Sequence, residues 1–168
     1  ALVTGASSGI GLATAVSLHD LGYRVAGLCR SAPEPDRAFA KAELPFFTCD
    51  VADFGQCAAA VAAVEARLGP VEVLVNDAGV TADATLHKME PDQWRRVIAV
   101  DLDSMFNMCR QVIGGMRERG FGRIVNIGSI NGQKGQFGQT NYAAAKAGVA
   151  GFTKALALES GRKGVTVK

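Results

Sequence analysis

Between the apolar run Ala1-Leu2-Val3 and the helical pattern of Leu12, Ala15, Val16 and Leu18 stands Thr4-Gly5-Ala6-Ser7-Ser8-Gly9-Ile10-Gly11. A chain that passes from strand to helix in so few residues needs a bare, adaptable backbone, and glycines provide it. Strand, glycine turn and helix in that order confine the opening of the chain to a βα unit. In such a unit the glycines let the backbone approach a pyrophosphate, which settles against the amide groups at the helix N-terminus. Gly5, Ser7, Ser8, Gly9, Ile10 and Gly11 are therefore candidate cofactor-binding residues. Their spacing, G-x-x-x-G-x-G, differs from G-x-G-x-x-G, so the turn gains weight only from the second strand that comes after it, Arg24 to Leu28.

The segment after that strand bears on the kind of dinucleotide. A carboxylate about 20 residues past the glycines would bind a ribose 2′-OH, whereas an arginine accommodates a 2′-phosphate. Here the chain reads Cys29-Arg30-Ser31, with no acid until Glu34, which favours NADPH. The plainer reading of Arg30 is a solvated loop cation.

The rhythm continues. Ser31 to Glu43, with Pro33 and Pro35, reads as a polar loop with a short helix around Arg37 to Ala42. Phe46 to Cys49 is a third strand, and Asp53 is a fitting N-cap for a helix from Phe54 to Leu68 with Val61, Val64 and Leu68 as its core stripe. Val71 to Val75 is a fourth strand. One long helix is expected from Pro91 to about Arg119, its stripe formed by Trp94, Val97, Ile98, Leu102, Met105, Phe106, Cys109, Val112, Ile113 and Met116. Asp101 sits inside that stripe, where a carboxylate is costly unless paired. Arg123 to Ile127, a helix from Tyr142 to about Ser160, and Val165 to Val167 complete the series. Strands alternating with helices predict an α/β fold, a Rossmann-like doubly wound parallel sheet forming one domain over residues 1–168, with sites at the carboxyl ends of its strands.

Composition narrows the alternatives. A formal charge of +2 is too small to argue for nucleic acid or an acidic membrane surface, and the apolar runs fall short of a bilayer span. Cys29, Cys49, Cys57 and Cys109 show no paired spacing, and with only His19 and His87 available no metal site is expected. A reduced, cytoplasmic setting fits.

Asn126 to Gly148 carries the chemistry. Tyr142 and Lys146, four apart in an Ala-rich run, share one helix face. Ser129 comes just after the fifth strand. A tyrosine can donate a proton to a carbonyl oxygen that a serine hydroxyl also holds. Bringing a phenol of pKa ~10 to neutrality takes ~4 kcal/mol of anion stabilisation at ~1.4 kcal/mol per unit. One ammonium ~4 Å away supplies about that at an effective dielectric of ~20. An ordinary amphipathic helix bearing a Tyr and a Lys is the bland alternative.

Thr4-Gly5-x-x-x-Gly9-x-Gly11, Asp50-Val51, Asn76-x-Ala78-Gly79, Ser129 and Tyr142-x-x-x-Lys146 together resemble the short-chain dehydrogenase/reductase family over the whole chain. Within it, Asn131 to Tyr142 is similar to NADPH-dependent acetoacetyl-CoA reductases, which make (R)-3-hydroxyacyl thioesters for polyhydroxyalkanoate synthesis; 3-oxoacyl-ACP reductases share much of the pattern. The resemblance implies that Tyr142 gives its proton to the ketone, that Ser129 holds the oxygen, and that Lys146 binds the nicotinamide ribose and activates the tyrosine. It implies that Asp50 and Val51 flank the adenine, and that Asn76, Ala78, Gly79, Tyr142 and Lys146 line the cofactor. It places Asp83, Gln136, Phe137 and Gln139 toward the substrate, although a polar surface loop explains the glutamines equally well. Partners implied are a CoA thioester, or an ACP thioester, and further copies of the chain in a homotetramer.

Two positions depart from the family pattern: Asp77 stands where a second asparagine is usual, and Asp101 aligns with a catalytic asparagine that supports a helix irregularity and a water leading to the lysine. Altered pH dependence and reduced, not abolished, turnover are expected. The resemblance also places a lid, a dimer-forming helix and a last strand, about 70 residues, beyond Lys168. Residues 1–168 alone are accordingly expected to be poorly soluble and inactive.

Overall fold

The computed structural model describes residues 1–31 and 44–168. The expected polar loop and short helix around Arg37 to Ala42 lie outside the described residues. Among those described, Leu2–Thr4 (β1), Ala26–Cys29 (β2), Phe46–Thr48 (β3), Val73–Asn76 (β4), Gly122–Asn126 (β5) and Val165–Val167 (β6) form one sheet. Every pairing is parallel, in the order β3-β2-β1-β4-β5-β6. Strands β1 and β2 are buried along their whole length, which is why they read as continuous apolar runs and not as alternating ones.

Helices Gly9–Asp20 (α1), Phe54–Leu68 (α2), Pro91–Ile98 (α3), Ser104–Arg119 (α4), Asn131–Lys134 (α5) and Thr140–Ser160 (α6) flank the sheet. One apolar cluster joins Leu28, Val61, Val64, Leu74, Met108, Val112 and Ile124; another joins Val3, Ala15, Val25 and Val75. Asp53 caps α2 as expected, its carboxylate accepting from the Gln56 amide at 2.9 Å. No helix is long and apolar enough to cross a membrane among the described residues.

The expected single helix from Pro91 to Arg119 is instead two helices joined by a π-helical turn over Ala99–Asp103. A π turn takes up an extra residue and rotates the next helix relative to a regular 3.6-residue spacing. Two members of the expected stripe face outward, Trp94 before the turn at 40% exposure and Phe106 beyond it at 54%. Met108, which the stripe omits, is fully buried. Phe106 stacks on Phe54 of α2, with ring centroids 5.8 Å apart.

Candidate active site

The sheet's order reverses between β1, which leads outward to β2 and β3, and β4, which leads to β5 and β6. A crevice opens at the carboxyl ends of strands at such a switch point. The first turn is tied to the loop after β4: Thr4 Oγ1 accepts from the backbone amides of Asp77 at 3.0 Å and Ala78 at 3.1 Å. Gly5 has φ +67°, and a Cβ there would come within 2.9 Å of the Ala78 backbone. Only a glycine satisfies both the conformation and the approach.

The crevice is a cavity of about 760 Å³. Gly5, Ser7, Ser8, Gly9 and Ile10 line one end, with Arg30, Asp50 and Val51 beyond them; Asp77, Ala78 and Gly79 form the middle. Asp101, Ser129, Tyr142 and Lys146 line the other end. The serine, tyrosine and lysine, dispersed along the chain, thus share one cavity with the glycine loop. Lys146 is almost completely buried on α6, its Nζ donating to the Ile127 carbonyl at 2.9 Å and lying 5.7 Å from the centre of the Tyr142 ring. Ser129 is braced by the Asn131 amide, which donates to its Oγ at 3.2 Å.

Several expected residues stand elsewhere. Asn76 is turned into the interior, 1% exposed, its amide donating to Asn126 Oδ1 at 2.9 Å, and is absent from the cavity wall. Asp83, Gln136, Phe137 and Gln139 also lie outside that wall. Gln139 donates to Asp83 Oδ2 at 2.9 Å and accepts from Asn131 at 2.9 Å, latching the loop after β4 to the segment before α6. Phe137 is 86% exposed.

Three supporting residues escaped the sequence reading because their partners are remote. Asn107 on α4 donates to the Val51 carbonyl at 2.9 Å, fixing the segment after β3. Asn141, fully buried, donates to the Ala82 carbonyl at 3.0 Å while its Oδ1 accepts from the Tyr142 amide at 2.7 Å, anchoring the first turn of α6. Gly132 sits against the backbone of Lys146 and Ala147. A polar side chain beside the Tyr at a helix start was the available hint for Asn141.

With this geometry established, relatedness is informative. The family described as "short chain dehydrogenase" matches residues 1–168. The chain belongs to the short-chain dehydrogenase family. This short-chain dehydrogenase is 54% identical to the acetoacetyl-CoA reductase of Rhizobium meliloti (strain 1021), over 99% of this chain and 70% of that protein. It is 42% identical to the 3-oxoacyl-[acyl-carrier-protein] reductase FabG of Pseudomonas aeruginosa, again over 99% of this chain and 70% of that one. Among solved structures, an actinorhodin polyketide ketoreductase with NADPH superposes with a TM-score of 0.91 at 42% identity, covering 99% of this chain and 66% of that chain.

Two carboxylates, Asp77 and Asp101, line this short-chain dehydrogenase's cavity near Lys146. Asp101, on the π turn, is fully buried; its Oδ1 accepts from the Val80 amide at 2.8 Å and its Oδ2 lies 3.5 Å from Lys146 Nζ. Oδ2 has no hydrogen-bond partner among the described residues. Burial pushes the Asp101 carboxyl up, with the Val80 amide and the Lys146 ammonium pulling the other way. An anion there offsets the field of the ammonium on the nearby phenol. Asp101→Asn is therefore expected to move the pH–rate profile of ketone reduction toward acid by about one pH unit and to raise turnover a few-fold. An unchanged profile and kcat would remove Asp101 from the proton-transfer machinery.

Asp77 is half-buried. Burial pushes its carboxyl above the usual range, opposed by the Gly11 amide and by Lys146. For an acid with a raised folded pKa, the protonated form is the one the fold favours. Its contribution is complete below the unfolded value of about 3.9 and is lost as pH rises through the folded value. Asp77→Asn should thus raise Tm at about pH 7, with the gain shrinking toward about pH 4. Equal gains at both pH values in thermal melts would show that titration of this group plays no part.

Proposed function

We propose that this protein reduces a 3-oxoacyl thioester with NADPH, converting acetoacetyl-CoA to (R)-3-hydroxybutanoyl-CoA. The observation that carries this reading is the meeting of Ser129, Tyr142 and Lys146 on the wall of the same cavity that Gly5, Ser7, Ser8, Gly9 and Ile10 line, Gly11 being buried behind it. The residues present fit a dinucleotide. Gly5, Ser7, Ser8, Gly9 and Ile10 line the cavity beside the start of α1, and about 760 Å³ falls in the range of cofactor sites. The loop amides at the start of α1 would hold the pyrophosphate, Asp50 and Val51 the adenine end, and Lys146 the nicotinamide ribose. Bound NADPH supplies the hydride.

The protein's own residues manage the oxygen. Tyr142 donates its phenolic proton to the carbonyl oxygen as negative charge develops there. The Ser129 hydroxyl donates a second hydrogen bond to the same oxygen, stabilising that charge. Lys146, its Nζ already oriented by the Ile127 carbonyl, places a positive charge beside the phenol that loses its proton.

Steady-state oxidation of NADPH and NADH with acetoacetyl-CoA tests the reading. NADPH should be preferred, and Arg30→Ala should raise the KM for NADPH by about 10-fold while leaving that for NADH unchanged, as expected for loss of a charge-assisted contact to a 2′-phosphate. Cofactor binding without substrate-dependent oxidation would favour a cofactor-binding relative with lost turnover. The relative named for acyl-carrier-protein substrates supports a second reading, reduction of 3-oxoacyl-ACP. A higher kcat/KM with acetoacetyl-ACP than with acetoacetyl-CoA would select it. Self-association, to a homotetramer by family resemblance, is part of the proposal, as is a cytoplasmic setting; analytical ultracentrifugation of the full-length protein reads the former.

A further inference from the structure

Cys49 and Cys57, eight residues apart with no motif to pair them, are in contact in the fold: their sulfurs lie 4.0 Å apart, with Cys49 just after β3 and Cys57 in the first turn of α2. Both are free thiols, and neither has a part in the reduction described above. Between them runs Asp50-Val51, the segment proposed to hold the adenine. The Cys57 Sγ is 3.5 Å from the Val51 carbonyl, which also accepts from Asn107 at 2.9 Å. Cys49 forms part of the cavity wall and is otherwise enclosed, 1% exposed, whereas Cys57 is fully buried behind it and absent from that wall. The two residues are therefore unequal: Cys49 belongs to the wall of the cavity, and Cys57 lies behind it in the core.

We propose that Cys49 and Cys57 form a peroxide-sensitive thiol pair, whose disulfide disables the adenine end of the cofactor site. The Cys49 thiolate attacks a hydroperoxide that enters the cavity; the O–O bond breaks, leaving a sulfenic acid on Cys49 and an alcohol or water once the leaving oxygen is protonated. Cys57 then attacks the Cys49 sulfur, the S–S bond forms as the S–O bond breaks, and the hydroxyl leaves as water with the proton of Cys57. Two thiols lose two electrons and the peroxide gains them. The order of events agrees with the local chemistry. The Cys57 thiol beside it holds Cys49 down against burial, while the Cys49 sulfur and burial push Cys57 up. The thiolate is the attacking species, so Cys49 leads and Cys57 resolves. Closing 4.0 Å to a bond draws the first turn of α2 toward β3 and pulls Cys57 off the Val51 carbonyl. A bound dinucleotide fills the cavity and shields Cys49. In a reducing cytoplasm such a link is transient and serves as a sensor, not a staple.

The pairing stands on the contact between the thiols; its effect on cofactor binding rests on the proposed NADPH reading, and the two are separable. Full-length protein is treated with hydrogen peroxide with and without NADPH, digested and analysed by mass spectrometry, and NADPH affinity is measured by fluorescence before and after. Expected are a Cys49–Cys57 cross-linked peptide, its suppression by NADPH, and a rise in Kd of at least ~10-fold that dithiothreitol reverses. With Cys57→Ser, dimedone should label Cys49. Thiols that stay free, a link from Cys49 to Cys29, or dimedone capture at Cys57 in a Cys49→Ser variant would each overturn the pair. A disulfide that leaves NADPH affinity unchanged would overturn the control. Failure of the untreated protein to bind NADPH would count against the cofactor reading, while the peptide map would still decide the pairing.

Discussion

Tyr142→Phe is expected to lower kcat for acetoacetyl-CoA reduction by about 10³-fold, in keeping with loss of a positioned general acid. NADPH affinity should change by less than about 3-fold, since the loop amides, Asp50, Val51 and Lys146 keep their places and only the phenolic hydroxyl is lost. Every contact that sets the ring's place survives the substitution. Asn141 still accepts from the backbone amide of residue 142, and Lys146 still donates to the Ile127 carbonyl. Removing one hydroxyl creates no cavity of consequence, so Tm should be nearly unchanged. Steady-state kinetics together with a fluorescence titration distinguish the roles. A variant that keeps more than about a tenth of kcat would take Tyr142 out of the proton step. A parallel fall in NADPH affinity would make it a binding residue.

Gly132→Ala carries the next largest effect, through position and not through chemistry. A Cβ at residue 132 would stand 2.7 Å from the Lys146 carbonyl carbon and 2.8 Å from the Ala147 nitrogen. These are backbone atoms of α6, and Lys146 is tethered at its far end to Ile127. The shorter α5 must therefore move away. Ser129 goes with it, because the Gly132 amide donates to the Ser129 carbonyl at 3.1 Å and the Asn131 amide donates to its hydroxyl. A displacement on the order of 1 Å at a reacting group costs about 10²-fold in kcat/KM, and overpacking of this kind costs about 1–3 kcal/mol of stability. Gly114→Ala is the internal control. That glycine is exposed on α4 with nothing within 4 Å of a Cβ, so the change should stabilise by about 0.5–1 kcal/mol and leave activity alone. Comparable kinetics for the two variants would show that the approach of α5 to α6 does not set the position of Ser129.

Much of this protein was legible from local pattern. Buried parallel strands are apolar end to end, and a helix that packs on one face repeats at three and four, so the alternation of β and α elements could be read without any partner in view. The glycine turn was legible because its requirement is backbone conformation, and Tyr142 with Lys146 because a helix converts a spacing of four into a shared face. Element ends were less secure. The fourth strand begins at Val73, not Val71, and the last helix starts at Thr140, not Tyr142, since hydrogen bonds to neighbouring strands and the anchoring of Asn141 settle where each begins.

The residues determined by themselves the fold class, the glycine loop and the chemical identity of the Ser, Tyr and Lys that could meet. The tertiary structure alone decided that Asn76 faces inward to Asn126, that Asp101 Oδ2 lies directly beside Lys146 Nζ, at 3.5 Å, that Gly132 lets α5 press on α6, and that Cys49 and Cys57 touch. Each of these is a distance between atoms that the chain brings together from separate elements. Such distances come from how helices and sheet pack, a balance summed over the whole core, and no local periodicity encodes them.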